Sequence, residues 1–279
     1  MDDVTLDAFA AWERSSWETR ATPYAEGVGV LTRGAIPALL DAARVTSGTR
    51  VLDVATGPGF VADEALRRGA QVTAVDQSAE MVAIARRSLP GVAVHQAPAE
   101  QLGLPDGSYD AVVAGFLLNH LARPEVGVAE LVRVLAPGGR LAMTVWAPPA
   151  DNQAMGLIGE VVTALGIRGV VPPGPDSAQF ADETLFAGLL RGAGLVDVEV
   201  TRTSWSFAVE PGAWFDTVAA AMPRSGAVLA SAEEDQRAQA RKVYVERARQ
   251  TYGDGTGRCL LPATAVVGSG LRPGLLKQR

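Results

Sequence analysis

Arg50 to Phe60 reads R-V-L-D-V-A-T-G-P-G-F. Val51, Leu52 and Val54 form the short apolar run of a strand buried on both faces, and Gly57 and Gly59 straddle Pro58 directly after it. A strand therefore feeds a glycine turn, after which Val61, Ala65 and Leu66 recur at helical spacing in a segment running to Arg68. Strand, loop and helix in that order put a ligand site at the strand's carboxyl end, where glycine lets a ligand come close to the backbone. The next strand, Gln71 to Val75, ends on Asp76, and a carboxylate there can accept hydrogen bonds from both hydroxyls of a ribose. Two features on adjacent strands point to one nucleoside.

Gly57-Pro-Gly59-Phe-Val-Ala62 also satisfies the G-x-G-x-x-[GA] pattern of dinucleotide sites, and Asp76 lies at a compatible distance. Asp53 separates the two readings. It is an acid four residues before the first glycine, in a strand that otherwise wants apolar side chains. A pyrophosphate gains nothing from a carboxylate there, whereas a ligand bearing an ammonium group offsets its desolvation.

From here the chain alternates strand and helix, which predicts a mostly parallel sheet covered on both faces. Ser78 caps a helix through Arg87, Val92 to His95 is a short strand, and Pro105-Asp106-Gly107 turns into a strand over Tyr109 to Ala114. Asp110 is read as a cap of that turn rather than a ligand contact, and His95 as a surface residue. Glu125 to Leu135 is a helix closed by Pro137-Gly138-Gly139, and Arg140 to Val145 is the fifth strand, followed by Trp146.

The motifs V-L-D-V-A-T-G-P-G (51–59), V-T-A-V-D-Q-S-A-E-M (72–81), S-Y-D-A-V-V (108–113), N-H-L (119–121) and R-V-L-A-P-G-G-R-L (133–141) occur in an order that resembles the class I S-adenosylmethionine (SAM) dependent methyltransferases. The subgroup most similar is that of the ubiquinone/menaquinone biosynthesis methyltransferases. The resemblance is carried by Val51 to Trp146, with weaker similarity over Phe180 to Val200 and Leu261 to Gly268. It implies an α/β, Rossmann-like, seven-stranded mostly parallel sheet with helices on both faces and a helical lid. It implies SAM as cofactor, released as S-adenosylhomocysteine (SAH). Asp53, Ala55, Thr56, Gly57 and Gly59 would then surround the methionine end, with Phe116 and Leu117 shaping its edge. Asp76 would hold the ribose, and Gln77, Met81, Ala99 and Glu100 would surround the adenine. The sequence departs from the family at Ala55, where glycine is usual, and at Pro98, where an acid often faces the adenine amine, which leaves the backbone of Ala99 and Glu100 as the adenine contact. Met81 is equally explained by helix–sheet packing.

The segment Phe116 to Leu121 follows the fourth strand and lines the same crevice. His120 there can take a proton from a substrate hydroxyl, amine or indole nitrogen, or it can simply orient the loop; Asn119 beside it is a second candidate. Leu6 to Arg20 holds Phe9, Trp12 and Trp17 among charges and reads as an amphipathic helix that Pro23-Tyr24 ends or kinks, followed by a second helix over Val30 to Ala43. Trp17, Ala21 and Tyr24 resemble the family's amino-terminal lid, although the aromatics are also explained by packing alone. Trp12, Tyr24, Trp146 and Trp205 would frame an acceptor pocket for a planar, mostly apolar ring.

The expected organisation is a lid segment (1–46), a SAM-binding core (47–208) with a helical excursion near 151–175, a helical cap (209–258), and a last strand with its tail (259–279). Leu195 to Phe207 is read as a half-buried strand on Val196, Val198 and Val200, and Glu233 to Arg249 as a solvated face of mixed charge.

A net charge of −6 with no basic block argues against a nucleic-acid partner. No apolar run reaches the length of a membrane span, the first residues M-D-D-V-T-L-D are acidic rather than basic-then-apolar, and Cys259 is the single cysteine, read as a buried residue at the start of a strand. The expectation is a cytoplasmic monomer or homodimer acting on a small-molecule acceptor, with no metal site. Two rival readings stay open. A nicotinamide-dependent oxidoreductase would share the glycine loop and Asp76 but leaves Asp53 unexplained. A cyclase-like enzyme or binding module on the same fold would hold SAM without consuming it.

Overall fold

The computed structural model describes residues 1–274. Helices α1 (Asp3–Glu26), α2 (Val28–Thr32) and α3 (Ile36–Ala42) lead into β1 (Arg50–Val54), after which α4 (Phe60–Arg67), β2 (Gln71–Asp76), α5 (Ala79–Ser88), β3 (Ala93–Gln96) and β4 (Tyr109–Gly115) alternate. Then come α6 (Pro124–Val134), β5 (Leu135–Trp146), α7 (Gln153–Ala164), α8 (Glu183–Gly192) and β6 (Val196–Val209). Helices α9 (Pro211–Ala221), α10 (Pro223–Ala230) and α11 (Glu234–Tyr252) separate β6 from β7 (Cys259–Leu271).

The seven strands lie in the order β3-β2-β1-β4-β5-β7-β6, with β1 to β5 parallel and β7 antiparallel to both its neighbours. Because β1 leads outward through β2 on one side while β4 and β5 build the other, the order reverses between β1 and β4, and a crevice opens beyond the carboxyl ends of those strands. Val51, Leu52 and Val54 are fully buried, as a strand covered on both faces requires. Leu52 and Val54 pack towards α6 and α8, and Val51 towards α3 and α4.

Four local readings change. Pro23 does not end the first helix: it lies in the last turn of α1, where it leaves the carbonyl of Thr19 without its backbone donor, and the helix runs on to Glu26 before Gly27 closes it. Pro137-Gly138-Gly139 is absorbed into β5 as an irregularity, where the pairing slips between Tyr109/Leu135 and Ala111/Arg140. Val196 is exposed because Asp197 has φ +48 and the β6–β7 register shifts between Val196 and Glu199, so only Val198 and Val200 face inward. Asp110 does not cap its turn; both its oxygens accept from Arg50, tying β4 to β1 at the amino ends of the strands.

The helical insert is not merely a solvated face. Trp214, Phe215 and Val218 of α9 and Ala240, Tyr244 and Ala248 of α11 join α2, α7 and the start of β7 in a second apolar cluster. The four-residue spacing of Ala240, Tyr244 and Ala248 gives α11 one buried stripe in an otherwise charged sequence. Cys259 is fully buried there. The Tyr244 hydroxyl is buried without a partner, and burial pushes its phenol well above the usual range. Tyr244→Phe is therefore expected to stabilise the protein by about 1 kcal/mol, raising Tm by about 2 °C or more in a calorimetric melt. A lowered Tm would mean that the hydroxyl is satisfied in solution.

Candidate active site

A cavity of about 450 Å³ occupies the crevice. Its floor comes from the carboxyl ends of β1, β2 and β4, one wall from α1 to α3, and a further edge from Thr144 and Trp146 of β5. The loop after β1 lines it with Ala55, Thr56, Gly57 and Pro58. Ala55 has φ +57 and Gly57 φ +54, so the loop twice takes the left-handed conformation, once at a residue that carries a Cβ. A Cβ on Gly57 would enter the space between Tyr24 and Met81, 3.8 and 4.0 Å from their atoms. The missing side chain is what keeps this part of the cradle open to a ligand.

Asp76 closes β2 and is tied into the same loop: Gly57 N donates to Oδ2 at 2.8 Å and Ser78 N to Oδ1 at 2.9 Å. Burial pushes its carboxyl up to about 6, and the nearby Glu18 carboxylate adds to the rise. Gln77, Met81, Ala99, Glu100, Phe116 and Leu117 also line the cavity, as do Tyr24, Trp146 and His120. Trp146 stacks on Phe116 with centroids 4.1 Å apart, so an aromatic surface continues from β4 to β5.

Five other expected site residues are not on the cavity wall. Asp53 is 1% exposed beneath the loop, where Thr56 Oγ1 donates to its Oδ2 at 2.6 Å and Ala62 N at 3.1 Å; Oδ1 has no partner. Gly59 begins α4 with φ +93, and a Cβ there would lie 2.6 Å from Leu89, so close approach of α4 and α5 explains this glycine. Asn119 has its Oδ1 buried without a partner, away from the cavity. Trp12 lies against Phe9 on another side of α1, and Trp205 covers Gly34 and touches Trp146 from behind.

Burial also pushes the Asp53 carboxyl up, to about 7. Both buried acids thus hold their protons more tightly in the folded chain than in the unfolded one. Between about pH 4 and 7 the folded state binds more protons, so these groups withdraw stability as pH rises through that window. The Asp53→Asn variant removes one such group, and its urea midpoint should gain on that of the wild type between pH 4 and pH 8. A pH-independent difference between the two would show Asp53 to be ionised throughout.

Helix α1 contributes more than its aromatics. Glu18 accepts at the start of α5, from Ala79 N at 2.8 Å, Glu80 N at 3.2 Å and Ser78 Oγ at 3.2 Å, which fastens α1 to the core beside Asp76. Glu13 is buried, with Oε2 3.0 Å from His120 Nδ1. Trp17 meets the His120 ring edge-on at 5.0 Å and Tyr24 edge-on at 5.1 Å, placing three residues of the cavity wall in one aromatic row. The sequence signal for Glu13 and Trp17 was the stripe Phe9, Glu13, Trp17, Ala21 at four-residue intervals, with a carboxylate where an apolar side chain is expected.

The residues present fit an adenosyl ligand. An open glycine cradle at Gly57 and a buried carboxylate at the end of β2 are the features such a ligand's ribose calls for.

Residues 52–143 match the family described as "Methyltransferase domain". The demethylmenaquinone methyltransferase of Thermus thermophilus is 41% identical over 125 residues, which is 43% of this chain and 56% of that protein. The ubiquinone/menaquinone biosynthesis C-methyltransferase UbiE of Geobacter sulfurreducens is 30% identical over 175 residues, 55% of this chain and 67% of that protein. This chain spans about half the length of the demethylmenaquinone methyltransferases it matches. Among solved structures, the YcgJ protein of Bacillus subtilis superposes with a TM-score of 0.54 at 20% identity, covering 86% of this chain and 98% of that one, a likeness of fold. With the sheet order, the glycine loop and the acid after β2 in place, the chain belongs to the class I SAM-dependent methyltransferases, of the ubiquinone/menaquinone C-methyltransferase type.

Proposed function

We propose that this protein moves a methyl group from SAM to an O, N or C nucleophile of a small, largely apolar or aromatic acceptor. The observation that carries the reading is a single cavity lined both by Gly57 and Asp76 and by the aromatic surfaces of Trp17, Tyr24, Phe116 and Trp146. SAM, when bound, supplies an electrophilic methyl group on a sulfonium centre. Asp76 would accept from the ribose hydroxyls, and Gln77, Met81 and the backbone of Ala99 and Glu100 would surround the adenine. Ala55, Thr56 and Gly57 would hold the methionine end, with Phe116 and Leu117 along it; Asp53 and Gly59 would act through the loop they brace. Tyr24, Trp146 and Trp17 would frame the acceptor, exclude water and offer electron-rich faces to a cation. Positioning of this kind is worth on the order of 7–11 kcal/mol, which is why so few polar groups suffice.

The proposed organisation is a lid of residues 1–46, a core of 47–208, a cap of 209–258, and a last core strand with its tail over 259–279, of which 275–279 lie outside the described residues. Met222, between α9 and α10, is the cap residue on the cavity wall, and α1 contacts both helices, which supports a shared cover. No helix among the described residues is long and apolar enough to cross a membrane. A cytoplasmic protein, monomeric or homodimeric, is the form in which we expect it to act.

Because relatives are named for demethylmenaquinone methylation, a reduced naphthoquinone ring is the first acceptor to try, followed by simple phenols and indoles. The reading predicts one methylated product for each SAH formed. SAH formed without a methylated product, or SAM bound but never consumed, would contradict it.

A further inference from the structure

We propose that Glu13 and His120 form a carboxylate–imidazole pair in which His120 Nε2 takes the proton that the acceptor gives up and Glu13 is its positioning residue. The inference rests on the methyl-transfer reading and narrows it: the acceptor carries an ionisable hydroxyl, as in a phenol, enol or quinol, rather than a nucleophile with no proton to lose.

Glu13 is 1% exposed, and of its two oxygens only Oε2 has a partner, His120 Nδ1 at 3.0 Å. A desolvated carboxylate with one hydrogen bond is a costly way to pack a helix, and an apolar residue beside Phe9, Trp17 and Ala21 would serve packing better. The arrangement becomes favourable when the imidazole carries a positive charge. An ionised carboxylate only accepts, so the neutral ring keeps its proton on Nδ1 and its lone pair on Nε2. Nε2 makes no hydrogen bond among the described residues and is absent from their buried unpartnered atoms, while the ring itself lines the cavity. Trp17, edge-on at 85°, fixes the ring plane, and the bonds of Glu18 to the start of α5 hold α1 in register. His120 belongs to the core and Glu13 to the amino-terminal helix, so the pair exists only while α1 is docked.

In the step itself, Nε2 accepts the hydroxyl proton. The oxygen pair so freed forms the new bond to the methyl carbon in O-methylation. In C-methylation it moves into the ring, the ring carbon's pair forms that bond, and the carbon's own proton is then lost to water. In both, the pair of the old carbon–sulfur bond stays on sulfur. The imidazolium, held by Glu13, then passes its proton to water.

The chain has two histidines, and His95 is exposed on β3, so 15N NMR of histidine-labelled protein reports His120 beside a built-in reference. At a pH where both rings are neutral, His120 is expected to show the Nδ1–H pattern, with the bias lost in Glu13→Leu. Glu13→Gln keeps a hydrogen-bond acceptor without the charge; it should lower kcat at least tenfold, with SAH affinity and acceptor KM within about twofold of wild type. His120→Ala should lower kcat by about a hundredfold or more. An Nε2–H pattern in the wild type, or a Glu13→Gln variant turning over at the wild-type rate, would overturn the pair. The tautomer needs no ligand, so a protein that failed to bind SAH would refute the methyl-transfer reading while leaving the pair to be judged on its own signal.

Discussion

Replacing Asp76 by alanine is expected to weaken binding of SAM and SAH by about a hundredfold or more while leaving the chain folded. Hydrogen bonds to a charged group are worth about 1.5–3 kcal/mol each, and two ribose hydroxyls donating to this carboxylate account for about 3 kcal/mol or more. Folding survives because the change strands two backbone N–H groups, those of Gly57 and Ser78, but also removes a buried carboxylate. Asp76→Asn, similar in shape but with a single accepting atom, should fall between the two. The wild-type affinity should also depend on pH with a definite sign. Only the ionised form accepts from both hydroxyls, and burial pushes this carboxyl up to about 6, so affinity is full above that value and falls as pH drops through it. Affinity flat from pH 5 to pH 8, or unchanged in Asp76→Ala, would place the ribose elsewhere.

Phe186→Ala is expected to cost about 3–5 kcal/mol of stability, a large share of what a domain has. Phe186 is fully buried on α8, its ring against Gly268 of β7 and tilted towards Phe180 at 6.3 Å. A Cβ on Gly268 would lie 2.7–2.9 Å from three ring atoms, so the ring fills the space glycine leaves on the antiparallel strand. Gly268→Ala should therefore be destabilising alone and less so in a Phe186→Leu background, a coupling that a double-mutant cycle in urea measures. Additive effects would mean that ring and glycine do not share that space.

The parallel half of the sheet was legible because its signals are local. Val51 to Val54, the glycine turn and Asp76 each declare themselves within a few residues, and the same is true of Ser78 at the start of α5. The site's second half was not, because it is made by α1 folding back over the core. Glu13 meets His120 across 107 residues and Glu18 meets Ser78 across 60, and no spacing rule links such pairs. Helix phase decides which tryptophan lines the cavity: Trp17 shares the stripe of Phe9 and Glu13, whereas Trp12 falls off it. Val196 misleads because the bulge beside it is set by the pairing of β6 with β7, which no local pattern carries. Asp53 stands out as an acid in an apolar strand, yet its carboxylate turns beneath the loop to Thr56 and Ala62 rather than into the cavity.

The measurement that bears most directly on the central claim is calorimetric titration of the full chain with SAM, SAH and NADH. The account predicts micromolar binding of both adenosyl ligands at one site and no heat from NADH. Binding of NADH with neither SAM nor SAH would contradict it, and would assign the Gly57 loop and Asp76 to a dinucleotide.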